Sequence, residues 1–94
     1  MAKHLWTDQT FKSWGMLKEL VEEENITQYK KYGIQKCSPF EWLGFLTAEV
    51  GELSQAIKEL IFLKGEYNKI IVEAIQVATL ALKIAEMAEY EQNN

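Results

Sequence analysis

Two glutamates three residues apart, Glu49 and Glu52, interrupt a stretch that is otherwise largely apolar, FEWLGFLTAEVGELSQAIKELIFL. A third, Glu73, does the same in NKIIVEAIQVATLALKIAEMAEY, and Gln76 follows it at the same spacing. On an ideal helix turning about 100° per residue, Glu49 falls inside the apolar arc. Trp42, Leu46, Leu53, Ile57 and Leu60 lie on one side of it, Phe45 and Ala56 on the other, and Glu52 sits at the rim. Glu73 is embedded in the same way between Ile70, Val77 and Ile84 on one side and Leu80 and Met87 on the other, with Gln76 at the rim. Solvated stripes account for Glu52, Gln55 and Glu59, and for Gln76, Thr79 and Lys83. They do not account for Glu49 and Glu73.

A lone carboxylate withdrawn from water costs several kcal/mol or takes up a proton. Acids facing one another across two helices repel unless a cation joins them. The donors here are all oxygen, without imidazole or thiolate. That set favours Mg²⁺, with Mn²⁺ as substitute, over Zn²⁺. Mg²⁺ held by a few carboxylates keeps waters and accepts phosphate oxygens.

Three helical segments must position these groups, and no strand pattern competes with them. The first begins near Thr7 and Asp8 and carries Phe11, Trp14, Leu17 and Val21 at helical spacing. It either continues or breaks near Asn25, and Gly33 is its stop. The second starts at SPFE, with Ser38 as N-cap, Pro39 in the first helical position and Glu41 closing a capping box. It runs to about Lys64 and ends at Gly65. The third spans about Glu66 to Tyr90, and the EQNN tail frays. So short a turn between two long helices predicts an antiparallel hairpin. The expected fold is all-α, one domain over residues 1–94 with a core of about 7–90. It is a helical hairpin plus an N-terminal helix. Apolar arcs this wide exceed what three helices can cover, so a core resembling a four-helix bundle is completed by oligomerisation.

Composition narrows the partners. The 94 residues are 48% hydrophobic and 26% charged, with a net charge of −4. The acids are spread along the chain, which argues against a nucleic-acid partner, because phosphate neutralisation needs clustered Lys and Arg. Lys30, Lys31 and Lys36 read as a solvated helix end, where lysine also suits the helix dipole. A single cysteine, Cys37, allows no intrachain disulfide and fits a reducing compartment. No apolar run reaches the roughly 18–20 residues of a membrane span, and MAKHLWTDQ lacks a signal-peptide core. A cytoplasmic protein with no membrane partner is expected. His4, a lone histidine near the terminus, is given no role.

With both acidic pairs placed, the sequence resembles the MazG-like all-α nucleoside triphosphate pyrophosphohydrolases, whose pattern is ExxE on one helix and ExxD on the next. EVGE supplies Glu49 and Glu52; EAIQ supplies Glu73 and puts Gln76 where the final Asp stands. WLGFLTAEVGELSQAI, IIVEAIQVATLALKIAE and the lead-in QYKKYGIQ also look like the family, over roughly residues 28–88. The resemblance implies Mg²⁺-dependent hydrolysis of a nucleoside triphosphate to the monophosphate and pyrophosphate, and a role in removing surplus or non-canonical nucleotides. It implies Glu49, Glu52 and Glu73 as metal ligands with Gln76 at the edge, and Glu49 or Glu52 as the catalytic carboxylate acting on water. It also implies homodimers or homotetramers with sites near subunit interfaces. Gln76 departs from the pattern, since an amide oxygen binds a metal more weakly than a carboxylate.

Three further residues are candidates for substrate binding. Trp42 shares the Glu49 face and can stack on a base or pack in the core. Trp6, near the chain start, is a base-lid candidate. Lys64 falls inside the apolar arc and can reach phosphates or snorkel. The competing expectation is a non-enzymatic helical dimerisation module, in which lysines or water satisfy the buried acids. No residue pattern names a preferred base or sugar.

Overall fold

A computed structural model describes the backbone of residues 8–94 and the side chains of residues 13–94. Trp6 and His4 lie outside the described residues. The fold is all-α, with helices α1 (Asp8–Tyr32), α2 (Pro39–Leu63) and α3 (Tyr67–Gln92). No helix among the described residues is long and apolar enough to cross a membrane.

Local chemistry sets the helix ends. α1 runs through Asn25 without a break and stops at Gly33, whose φ of +67° suits glycine and whose N–H donates to the Tyr29 carbonyl at 2.9 Å. At the start of α2 the Glu41 N–H donates to Ser38 Oγ at 3.2 Å, and the Ser38 N–H donates to Glu41 Oε1 at 2.9 Å. Removing this cap by Ser38→Ala should cost about 1 kcal/mol, while Ser38→Gly should cost only a few tenths. Thermal melts of the two variants check the ordering.

The turn between α2 and α3 falls where expected, with Leu63 the last helical residue and Gly65 just beyond the cap. The residue in the left-handed region is Lys64, at φ 55°, rather than Gly65. Gly65 is favoured for a different reason. Its N–H donates to the Glu59 carbonyl at 2.9 Å, and a Cβ there would stand 3.0 Å from the Glu59 carbonyl carbon. A side chain there would press on the backbone of Glu59 and Leu60, which would have to give by a few tenths of an ångström.

α3 is the central element. α2 packs along it as the antiparallel partner, and α1 packs against another part of its surface. The most deeply buried side chains are Trp42, Ala56, Thr79 and Leu80. Thr79 corrects the expectation of a solvated stripe: it is only 1% exposed. Its hydroxyl donates to the Ile75 carbonyl at 2.8 Å, so it needs no water. Gln76 and Lys83 on the same edge are half-buried. The cause is α1, which covers this edge of α3. Lys83 Nζ stands 4.6 Å above the Tyr29 ring, and the Tyr29 hydroxyl donates to Glu86 Oε1 at 3.2 Å. Large apolar side chains stay exposed elsewhere, including Leu43, Val50, Ile57 and Ile61 on α2 and Ile71 and Leu82 on α3.

Candidate metal centre and adjoining cavity

The hairpin brings the two acidic pairs together. Glu49, Glu52 and Glu73 each offer one carboxylate oxygen, and these oxygens lie within 4.8 Å of one another. Glu49 and Glu52 are one turn apart on α2, and Glu73 comes from the facing surface of α3. Glu49 and Glu73 are half-buried, and Glu52 is exposed at the rim. Glu49 Oε2 and Glu73 Oε2 are buried without any hydrogen-bond partner. Native proteins rarely leave buried polar atoms unpaired, and such atoms call for an ion or water.

The electrostatics follow from this crowding. Burial pushes the Glu49 carboxyl above the usual carboxylate range, and the charges of Glu52, Glu73 and Glu24 push it further. Burial also raises Glu73, helped by the charge of Glu52 and by a hydrogen bond the two acids share once one is protonated. Lys69 opposes this by favouring the charged form of Glu73. Its ammonium is held by Glu59 Oε2 at 3.0 Å. Lys69 stands one turn before Glu73, an i, i+4 spacing legible in the sequence that the reading of the motifs passed over.

A cavity of about 580 Å³ runs from Glu49 and Gln76 towards α1, which contributes Glu24 and Gln28 to its wall. Gln28 Nε2 donates to Glu24 Oε2 at 2.8 Å. Trp42 and Phe45 line the side nearer the start of α2. The Trp42 ring is 4% exposed and meets Phe45 edge-on, with centroids 6.2 Å apart. Trp42 is thus principally a core residue, and Phe45, 46% exposed, presents the more open aromatic surface. A second cavity, of about 790 Å³, shares Trp42 and Gln35 with the first and is lined also by Tyr29, Cys37 and Lys83. Lys64 caps α2 at the hairpin turn, is exposed, and lines neither cavity.

Compared with protein-family models, with curated proteins and with solved structures, the chain matches none.

The residues present fit a hard divalent cation. Three carboxylates from two helices form an all-oxygen donor set, and two of their oxygens are buried and unpaired. Glu49, Glu52 and Glu73 would hold the ion. Gln76, half-buried on the same cavity wall as Glu49, has a side-chain oxygen to offer at its edge.

Proposed function

We propose that this chain is a Mg²⁺-dependent nucleoside triphosphate pyrophosphohydrolase of the MazG-like all-α kind, converting a nucleoside triphosphate to the monophosphate and pyrophosphate. The observation that carries the reading is the cluster of three glutamates, two of them with a buried oxygen that lacks a partner and one of those, Glu49, lining a cavity of nucleoside size. When bound, Mg²⁺, or Mn²⁺ in its place, neutralises charge on the triphosphate oxygens. Glu49 or Glu52 orients a water for attack on the α-phosphorus and takes its proton, as the bond from phosphorus to the departing pyrophosphate breaks. Lys69, beside Glu73, adds positive charge at the same end of the site. The role is removal of surplus or non-canonical nucleotides, in a homodimer or homotetramer, and the lone free Cys37 fits a reducing cytoplasm.

A panel of nucleotides with Mg²⁺, scored for pyrophosphate against phosphate, tests this directly. Metal-dependent pyrophosphate release is the expected result. Its absence from every nucleotide would favour a second reading, a helical dimerisation module, to which the exposed apolar side chains of α2 also point.

Gln76→Asp adds a charged oxygen where a neutral one stands. It should lower the Mg²⁺ concentration needed for half-maximal rate, without necessarily raising the maximal rate. If Gln76 does not touch the ion, the change stays within about 0.5 kcal/mol of neutral and the two metal titrations superimpose.

A further inference from the structure

One wall of the 580 Å³ cavity belongs to α1, outside both acidic motifs. There Glu24 is half-buried and braced by Gln28 at 2.8 Å. Glu24 and Glu49 line the same cavity, yet Glu24 stands outside the cluster of three. An ionised carboxylate is an acceptor only. Phosphate oxygens are acceptors and anionic as well, so Glu24 repels them. The parts of a nucleotide that can approach it are hydrogen-bond donors: sugar hydroxyls or the amino group of a base. On the α2 side of the cavity lining Phe45 offers a partly exposed ring, and an aromatic ring is the usual platform for a base.

We infer that Glu24, braced by Gln28, reads the nucleoside by accepting a hydrogen bond from a sugar hydroxyl or a base amino group, with Phe45 facing the base. The inference rests on the proposed triphosphate reading of the glutamate cluster. It gives the cavity a direction. Phosphates stay at the Glu49 end, and the nucleoside lies against the part of α1 that carries Glu24 and Gln28; Lys31, further along the same wall, is the one lysine among the described residues lining this cavity. Glu24 is then a specificity-determining residue on a helix that carries neither of the paired motifs.

The test uses the full chain with Mg²⁺ and two readouts: turnover, and binding of α,β-imido nucleotides that cannot release pyrophosphate. Glu24→Gln keeps the shape and removes the acceptor-only carboxylate. KM and the Kd of the imido analogue should rise about tenfold, with the loss carried by KM rather than kcat. The Mg²⁺ titration should not move, and inorganic tripolyphosphate, which has no nucleoside, should bind no more weakly. Gln28→Ala should act in the same direction with a smaller effect, because it frees the carboxylate without removing it. Two substrate arms locate the donor. One compares ribo-, 2′-deoxy- and 3′-deoxynucleotides; the other compares cytosine with uracil and adenine with hypoxanthine. The arm in which wild type and variant converge names the group that Glu24 holds. If Glu24→Gln weakens tripolyphosphate as much as nucleotides, shifts the Mg²⁺ titration, or leaves nucleotide KM and Kd unchanged while wild type turns over, this inference alone is overturned. If wild type neither turns over nor binds any nucleotide, the triphosphate reading falls and takes this inference with it.

Discussion

Glu49→Gln and Glu73→Gln should each lower the Mg²⁺-dependent rate by about a hundredfold or more while the helices remain formed. Each removes one charged oxygen from a three-carboxylate cluster, and each of these oxygens is too recessed for water to replace it freely. The same substitutions should make the metal-free protein more stable near neutral pH. Burial and neighbouring acids raise the folded-state pKa of both groups above the ordinary 4.5. A group raised in this way favours the fold fully below its unfolded value and loses that contribution as pH rises through the folded value. The charged form is the disfavoured one, and a neutral amide, able to donate to the remaining carboxylates, removes the conflict.

Melting temperatures in chelator should therefore separate wild type from either variant at pH 7, and converge as pH falls below about 4.5. Added Mg²⁺ should reverse the order at pH 7, because it binds the native wild-type cluster and not the unfolded chain. Either variant turning over at the wild-type rate would remove the metal cluster from the account. A melting difference independent of both pH and Mg²⁺ would trace the stability change to packing instead.

A dimer or larger assembly should sediment at micromolar concentration. Leu43, Val50, Ile57 and Ile61 recur at helical spacing along α2 and remain exposed, as do Ile71 and Leu82 on α3. Placing a charge in that surface, by Ile57→Glu or Leu82→Glu, should shift the population towards monomer and lower the melting temperature, since an unpaired charge cannot be buried across an interface cheaply. A wild-type monomer at these concentrations would sink the assembly. Variants that sediment as wild type would place the interface on another face.

How far the sequence alone determines this protein depends on the distance over which each cause acts. The ends of the helices follow from neighbours within one turn. Ser38 and Glu41 cap each other, Gly33 takes a positive φ, and Gly65 fits where the chain folds back onto Glu59. The meeting of Glu49, Glu52 and Glu73 was legible too. Helical periodicity puts Glu49 and Glu73 on the inner faces and Glu52 at the rim beside them, and a short turn forces those faces together. Burial of Thr79, the left-handed Lys64 and the place of Glu24 beside Glu49 were not legible. A helical wheel gives the angle of a side chain about its own axis and nothing about what lies across from it. The docking of α1 on α3, through contacts such as Tyr29 with Lys83 and Glu86, depends on pairs more than fifty residues apart. That tertiary choice turned a polar edge of α3 into interior and brought Glu24 to the cavity, because a side chain's solvent and partners are set by the element packed over it.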